Sequence, residues 1–205
     1  MKVLLVNGSL HEKGCTYTAL CEVEKALNAN GVDTEIYWIG KNVTSGCTGC
    51  WACKKTGKCV IDDGVNEFVQ KAAKADGYIF GSPVYYASAA GALVSFMDRV
   101  FYSGGKNLAY KPAAAVVSCR RAGASTTFDV INKYFTINNM QIVGSNYWNE
   151  IHGNKPEEAL QDEEGLQTMR VLGNNMAWLL KCIELGKQAG VEPVKEKKVW
   201  TNFIR

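Results

Sequence analysis

The sequence predicts an α/β fold in which helices cover both faces of a doubly wound, five-stranded parallel sheet. Three observations predict it. Strand-like segments alternate with helical ones along the 205 residues, the first strand-like segment is continuously apolar, and loops rich in glycine and hydroxyl residues follow several strands. Right-handed crossovers between five such strands favour the sheet order 2-1-3-4-5.

The elements of the first half follow from apolar runs and helical spacing. The segment MKVLLVNGS contains a continuous apolar run, Val3 to Val6, and is stopped by Gly8, which is typical of a buried parallel strand. In the next segment Leu20, Val23 and Leu27 recur at helical spacing, and Gly31 suits a helix end. The second strand is partly alternating, the second helix has an apolar stripe, and the third strand ends in Gly-Ser-Pro. The predicted strands are 1–9, 32–40 and 76–84, and the predicted helices are 16–31 and 65–75.

The second half continues the alternation. A small-residue loop leads into a helix, and Pro112 then opens an apolar strand that begins with three alanines. A further helix, a fifth strand and a long final helix with an apolar stripe follow. The predicted helices are 90–102, 126–136 and 163–190, and the predicted strands are 113–119 and 140–148.

The predicted elements lie within residues 1–190, which we expect to form a single domain. The tail 191–205 lies beyond the last helix and carries Trp200, Phe203 and Ile204. Because these large apolar side chains are costly to leave in water, we expect the tail to pack on this domain or on a partner subunit.

The composition excludes several classes of protein. With 23 basic and 20 acidic residues the net charge is +3, which is too small to indicate a nucleic-acid binder. No apolar run approaches the roughly 18 residues of a membrane span, and the N-terminus lacks the apolar core of a signal peptide. We therefore expect a cytoplasmic protein. In that reducing compartment cysteines more often serve metal binding or catalysis than disulfides.

Three loops follow the carboxyl ends of predicted strands, where doubly wound sheets bind their ligands. The first loop, 7–18, contains glycines and hydroxyls and leads into a helix N-terminus, which is a ready anion site. Ser9, Thr16 and Thr18 can bond phosphate oxygens, and His11 adds a partial positive charge. An ordinary strand-to-helix turn with a threonine cap is the open alternative.

The second loop, 81–93, suits a planar ring. Pro83 fixes a rigid turn, Tyr85 and Tyr86 supply flat faces, and the small residues after them leave room beside the backbone. A flat heteroaromatic ring fits such a slot. Packing of the two tyrosines in the core is the alternative.

The third loop, 118–125, brings Arg120 and Arg121 to the same edge, where a positive charge would stabilise an anionic reduced flavin ring. Two plain surface charges are the alternative. No G-x-G-x-x-G follows the first strand, and no Walker-type G-K-[ST] occurs. A mononucleotide with a phosphate at one end and a flat ring at the other fits all three loops, and FMN is such a ligand.

Three segments carry a resemblance to a known family. NGSLHEKGCTYT, GSPVYYASAAGALVSFMDR and SCRRAG resemble the NADPH-dependent FMN reductase family of flavodoxin-like proteins. The cysteine loop 46–59 brings the resemblance closer to the iron–sulfur flavoprotein branch of that family. The resemblance implies a flavodoxin-like, FMN-binding domain in a homodimer or homotetramer. The FMN-binding residues that it implies are Ser9, His11, Cys15, Thr16 and Thr18 for the phosphate, and Pro83, Val84, Tyr85, Tyr86, Ser118, Arg120, Arg121 and Gly123 for the ring.

Two positions depart from the pattern of the family. His11 stands where the family often has arginine, and Cys15 stands where it often has asparagine. Both changes weaken the side-chain contribution to the implied phosphate site, although the backbone donors of the loop are unaffected.

The cysteine loop holds half of the eight cysteines, namely Cys47, Cys50, Cys53 and Cys59. In a helical or tightly coiled turn, steps of three residues bring the first three sulfurs to one side. A C-x2-C-x2-C run with one further cysteine is typical of ferredoxin-type loops that hold a [4Fe–4S] cluster. Structural zinc more often uses two separated C-x2-C pairs. We favour the cluster, with zinc and metal-free cysteines as the open alternatives.

Together these features predict an FMN-dependent oxidoreductase. NAD(P)H or the cluster would reduce FMN, and electrons would pass to a redox protein or to a small acceptor such as a flavin, a quinone, or a nitro or azo compound. Because the flavin performs the chemistry, no side chain is predicted to be catalytic. A non-enzymatic, flavodoxin-like electron carrier is the alternative, and a zinc-stabilised binding module is a third interpretation.

Overall fold

A computed structural model describes residues 1–43 and 45–203, and within them seven strands form one sheet flanked by seven helices. The strands are β1 (Lys2–Asn7), β2 (Asp33–Trp38), β3 (Gly77–Tyr85), β4 (Ser88–Ala89), β5 (Pro112–Cys119), β6 (Gln141–Ile142) and β7 (Glu150–His152). The helices are α1 (Cys15–Ala29), α2 (Ala52–Thr56), α3 (Val65–Ala72), α4 (Gly91–Leu108), α5 (Ala124–Ile137), α6 (Pro156–Ala159) and α7 (Glu163–Gln188). None of these helices is both long and apolar enough to cross a membrane.

The sheet has the predicted order. β1 lies between β2 and β3, and the sheet continues through β5 to β6, with each of these pairs parallel. When the short antiparallel β4 is set aside, the five parallel strands run 2-1-3-4-5, so the predicted doubly wound α/β fold is confirmed. The carboxyl ends of β1, β3 and β5 consequently lie side by side at one edge.

The predicted fifth strand, 140–148, is wrong as a continuous element. β6 pairs with the start of β5, after which the chain leaves the sheet and returns as β7 beside the end of β5. Asn149 fills the gap: its side-chain amide donates to the carbonyl of Ala115 at 3.0 Å, and its own carbonyl accepts from the amide of Val117 at 2.8 Å. The detour brings the segment after β7 to the carboxyl edge of the sheet.

The two faces of the sheet are covered by different helices. Leu4 and Val6 of β1 join a buried cluster with α3, α4 and α5, whereas Val3 and Leu5 join a second cluster with α1 and α7. Burial of each such side chain contributes roughly 1.5–3 kcal/mol. The two clusters therefore make the sheet a rigid platform for the loops at its edge.

The tail after α7 leaves its large apolar side chains in water. Trp200 is 79% exposed and Phe203 is 91% exposed, so the expectation that they pack on this domain is wrong. Ile204, the third residue of that expectation, lies outside the described residues. Packing of the tail against a partner subunit stays a prediction.

Candidate functional site

A cavity of about 440 Å³ opens at the carboxyl edge of the sheet, beside the ends of β1, β3 and β5. Its volume lies in the range of ligand pockets, roughly 300–1,000 Å³. The lining residues are Ser9, His11, Lys13, Gly14, Cys15, Thr16, Pro83, Val84, Tyr85, Ser118, Cys119, Arg120, Gly153, Asn154, Lys155 and Pro156. They come from the β1–α1 loop, the β3–β4 hairpin, the end of β5 and the segment after β7.

The β1–α1 loop is held in shape by its own side chains. Asn7 Oδ1 accepts a hydrogen bond from the amide of Ser9 at 3.1 Å, and Ser9 Oγ accepts one from the amide of His11 at 3.1 Å. Gly8 lies so close to β3 that an added Cβ would stand 2.7 Å from the carbonyl oxygen of Gly81. The loop therefore stays against the sheet and leaves the space in front of α1 open.

The first turn of α1 is suited to binding an anion. In the described chain no side chain caps the helix after Gly14, and the first turn contains no acidic residue. Its unpaired amides and the positive end of the helix dipole therefore favour a negative group. Gly14, Cys15 and Thr16 line the cavity at this end.

Basic side chains surround the same space. His11, Lys13, Arg120 and Lys155 line the cavity, and no aspartate or glutamate is among its lining residues. Charges of one sign in a cleft raise the local concentration of oppositely charged ligands. The cavity is accordingly matched to a phosphate or a similar anion.

Two hydrogen bonds join α1 to the far wall of the cavity. The buried hydroxyls of Thr16 and Ser118 lie 2.8 Å apart, and Cys15 Sγ donates to the carbonyl of Gly153 at 3.5 Å. Burial raises the pKa of the Cys15 thiol, which therefore stays protonated at neutral pH. Cys15 acts here as a neutral donor rather than as a nucleophile.

The β3–β4 hairpin forms the opposite end of the cavity. Pro83, Val84 and Tyr85 line it, with Tyr85 partly open to solvent. The Ser82 hydroxyl accepts a hydrogen bond from the amide of Ala90 at 3.0 Å, which ties the hairpin to the start of α4. A flat, half-exposed wall of this kind suits an aromatic ring system.

A second pocket, of about 30 Å³, lies between the cysteine loop and α4, and all four cysteines of the loop line it. Each of the eight cysteines of the chain is a free thiol. Among the described residues, no three His, Cys, Asp or Glu side chains are grouped so as to hold a metal ion. The fold thus brings four thiols to one pocket without gathering three of them around a single point.

The cysteine loop contains the short helix α2, which the sequence did not predict. Trp51 precedes α2 with φ +58° and Gly57 follows it with φ +73°, so left-handed residues bound the helix on both sides. Hydrogen bonds from the backbone of Ala52 and from the Thr48 side chain lower the pKa of the Cys50 thiol. The loop therefore presents at least one thiol that ionises readily.

Cys59 is held by the neighbouring helices α3 and α4. Its amide donates to Asn66 Oδ1 and its carbonyl accepts from Asn66 Nδ2, both at 2.9 Å. Arg99 of α4 lies beside it and forms a two-pronged ion pair with Asp63, at 2.7 Å and 2.5 Å. Burial lowers the pKa of Arg99, but hydrogen bonds to Asp63 and Cys59 outweigh it and raise the pKa above its ordinary value.

Comparison with known proteins shows to which family the chain belongs. The sequence model of the NADPH-dependent FMN reductases matches residues 1–155. The chain belongs to the NADPH-dependent FMN reductase family. The resemblance predicted from the sequence is therefore confirmed.

Relatives of this FMN reductase family member carry the name iron–sulfur flavoprotein. One from Methanocaldococcus jannaschii is 35% identical over 192 residues, which cover 90% of this chain and 100% of that protein. Another, from Methanosarcina thermophila, is 30% identical over 190 residues, which cover 90% of this chain and 97% of that protein.

Solved structures show that this FMN reductase family member has a flavodoxin-like fold. RosB, solved with a bound 8-demethyl-8-formylriboflavin-5′-phosphate intermediate, matches with a TM-score of 0.73 at 13% identity, over 100% of this chain and 92% of RosB. A flavodoxin from the domain Archaea matches with a TM-score of 0.61 at 18% identity, over 88% of this chain and 99% of the flavodoxin.

Most of the FMN-binding residues predicted from the sequence lie together on the cavity, namely Ser9, His11, Cys15, Thr16, Pro83, Val84, Tyr85, Ser118 and Arg120. Thr18, Tyr86, Arg121 and Gly123 do not line it. The Thr18 hydroxyl donates back to the carbonyl of Gly14 at 3.4 Å, and Tyr86 is fully exposed at φ +59°. Gly123 directly precedes α5 with φ +87°, and an added Cβ there would lie 2.9 Å from Val84.

Sequence reasoning missed the outer wall of the cavity. Lys13 and the segment 153–156 line the cavity, and neither is among the residues predicted from the sequence. That segment follows β7, whose pairing with β5 was hidden because the fifth strand was predicted as one piece. The run Gly-Asn-Lys-Pro directly after a short apolar strand was the available signal.

Proposed function

We propose that this chain is an FMN-dependent oxidoreductase that takes electrons from NAD(P)H, from an iron–sulfur cluster in its cysteine loop, or from both. It passes them to a small acceptor, such as a flavin, a quinone, or a nitro or azo compound, or to a redox protein. The observation that carries the proposal is the cavity of about 440 Å³, with an uncapped helix N-terminus and basic side chains at one end and a hairpin wall at the other.

The residues present fit FMN. The first-turn amides of α1, with Ser9 and Thr16, would bind the phosphate, while His11 and Lys13 would offset its charge. At the other end the hairpin segment 83–85 would face the ring, with Ser118 and Arg120 beside its polar edge. When bound, FMN supplies hydride and single-electron chemistry, so the chain itself needs no catalytic side chain.

The chain contributes position and charge. The Thr16–Ser118 hydrogen bond joins α1 to the end of β5 and so holds these two walls of the cavity together. The Arg120 guanidinium would stabilise negative charge that develops on the ring edge. Lys155 and Pro156 also line the cavity, and Lys155 would add positive charge there.

The cysteine loop fits an iron–sulfur cluster. Its four thiols line one pocket, and relatives with high coverage are named iron–sulfur flavoproteins. In a [4Fe–4S] cluster each thiolate binds a different iron, so the sulfurs need not meet at one point. Nearby cations, from Lys54, Lys55, Lys58 and Arg99, would offset the charge of the thiolates.

Helix α4 connects the two sites. It begins at Gly91 directly after the hairpin, and Arg99 and Tyr102 on the same helix line the cysteine pocket. At 1.5 Å per residue, Gly91 and Arg99 are roughly 12 Å apart along the axis. One helix therefore joins the hairpin beside the cavity to the cysteine pocket. Assembly as a homodimer or homotetramer in the cytoplasm, where thiols stay reduced, completes the proposal.

The test is anaerobic steady-state oxidation of NADPH and NADH by the FMN-loaded chain, with a quinone, a nitroaromatic compound or free flavin as acceptor. We expect acceptor-dependent turnover with at least one pair. Oxidation at the background rate with every acceptor would contradict NAD(P)H as the electron donor and favour the electron carrier.

The phosphate end is tested by a pair of matched variants. Thr16→Val should weaken FMN binding about fivefold, because a hydrogen bond of this kind is worth about 1 kcal/mol. Thr18→Val makes the same change outside the cavity and should leave the affinity unchanged. Equal FMN affinities, measured by quenching of flavin fluorescence, would contradict the assignment of Thr16.

A further inference from the structure

Arg99 has the largest of the fully buried side chains in the described chain and lies at the wall of the cysteine pocket. Its side chain and that of Asp63 are only 2% and 5% exposed. Replacing a buried ion pair with apolar residues is often neutral or stabilising, so stability alone is a weak reason for such a pair. The position of Arg99 suggests a reason connected with the cysteines.

The guanidinium faces two groups at once. One side is occupied by the carboxylate of Asp63, and Nη1 also lies 3.9 Å from Cys59 Sγ. Asn66 fixes the backbone of Cys59 on both its amide and its carbonyl. Cys47 and Cys50, by comparison, are exposed. Cys53 is half-buried like Cys59, and its Sγ donates to the carbonyl of Tyr102 at 3.7 Å. Cys59 differs from it in that a charged group, Arg99, lies beside its sulfur.

One hydrogen-bond donor of Arg99 has no acceptor among the described residues. Its Nε is buried and makes no hydrogen bond to any described residue. An unsatisfied buried donor costs about 1–3 kcal/mol, and more when it is charged. Because Arg99 lines the pocket of the four thiols, a negatively charged acceptor bound there would offset this cost by its interaction with the guanidinium. Sulfur bearing negative charge is an acceptor of this kind.

We propose that Arg99 is a positioning residue for the cysteine site: it fixes Cys59 and keeps a positive charge beside an iron–sulfur cluster, favouring the reduced, more negative state of that cluster. Asp63 orients the guanidinium and partly offsets its charge. This inference rests on the proposed cluster and adds to it the residue that tunes the cluster's reduction.

The experiment compares reduction midpoints of the cluster in the full chain, by dye-mediated titration followed by electron paramagnetic resonance, with iron counted on each sample. Arg99→Gln should disfavour reduction about tenfold, a shift of about −59 mV for a one-electron couple. Arg99→Lys keeps the charge and should stay near the wild-type potential while losing iron more readily. Asp63→Asn removes a negative charge, keeps the guanidinium and should shift the potential upward.

Arg170→Gln is the matched control. Arg170 forms a half-exposed ion pair with Glu22 between α7 and α1, on the other face of the sheet, and its loss should leave the potential unchanged. Circular dichroism shows whether Arg99→Gln folds, and if it does not, the potential of Asp63→Asn tests the inference instead. A wild-type reduction potential in Arg99→Gln would overturn the inference but not the proposed cluster. If Arg99→Gln does not fold, a wild-type potential in Asp63→Asn would have the same meaning. A wild-type chain that takes up no iron would overturn the proposed cluster and the inference together.

Discussion

Single side chains decide what the cavity can bind. Ser9 and Thr16 were predicted as site residues because hydroxyls in a loop between a strand and a helix are typical phosphate ligands, and both line the cavity. Thr18 has the same chemistry but lies one turn into α1, where its hydroxyl bonds its own helix. Sequence spacing does not distinguish these two threonines. Lys155 was not predictable from the sequence, because its position beside the cavity depends on the pairing between β5 and β7.

Cys50 should react faster with an alkylating reagent than Cys15. Hydrogen bonds lower the pKa of the Cys50 thiol, whereas burial raises that of Cys15, so near neutral pH Cys50 has the larger thiolate fraction. The measurement is a time course with iodoacetamide on reduced, metal-free protein, followed by peptide mass spectrometry. As the pH rises above the ordinary thiol range, the ratio of the two rates should fall. A ratio independent of pH would mean that access alone sets the rates.

Helices and strands with a strong hydrophobic pattern were predicted well, and those with a weak pattern were not. β1 and β5 are apolar over most of their length, and α7 has a long apolar stripe, so their pattern favoured burial on or within the sheet. The fifth strand lacked this constraint. The segment 140–148 is compatible with a strand by composition. Between β6 and β7, however, the side chain of Asn149 forms a hydrogen bond to β5 where a continuous strand would have paired with it. Such a long-range hydrogen bond leaves no periodic signal.

Gly173 is expected to control the packing of α7 on α1. A Cβ at Gly173 would lie 2.6 Å from Ala26 Cβ and 2.8 Å from the Val23 carbonyl oxygen. Gly173→Ala should therefore lower the free energy of unfolding by about 2 kcal/mol, although alanine favours helix formation. Urea denaturation followed by circular dichroism measures the change.

Gly186 on the same helix is the control. The nearest atoms to its added Cβ are 3.9 Å away, so Gly186→Ala should raise the free energy of unfolding by about 0.5 kcal/mol. A loss of stability as large as that of Gly173→Ala would show that close packing is not the cause.

At the scale of the whole molecule, the alternation of strands and helices was enough to predict the sheet order. Parallel strands require crossovers, and right-handed crossovers leave few arrangements for five of them. We propose that residues 1–190 fold as one unit, with the tail as an addition to it. Of the two places expected for the tail, packing on this domain is wrong, since Trp200 and Phe203 extend into water on this chain, and packing on a partner subunit stays a prediction.

Deleting residues 192–205 should lower the mass of the assembly without changing the fold. The tail exposes the large apolar side chains of Trp200 and Phe203, and a partner subunit would give them a place to be buried. Light scattering after size exclusion measures the mass, and far-ultraviolet circular dichroism checks the fold. Trp200→Ser combined with Phe203→Ser keeps the full length and should act in the same direction. An unchanged mass in both variants would contradict a role of the tail in assembly.

The most direct test of the account is the cofactor content of the chain purified without oxygen, with flavin, iron, sulfide and zinc assayed on one sample. We predict about one FMN and about four irons per chain, with flavin absorption bands above a broad, reducible iron–sulfur absorbance. Flavin without iron would contradict the role proposed for the cysteine loop. A chain that contains no flavin and does not bind added FMN would contradict the central claim.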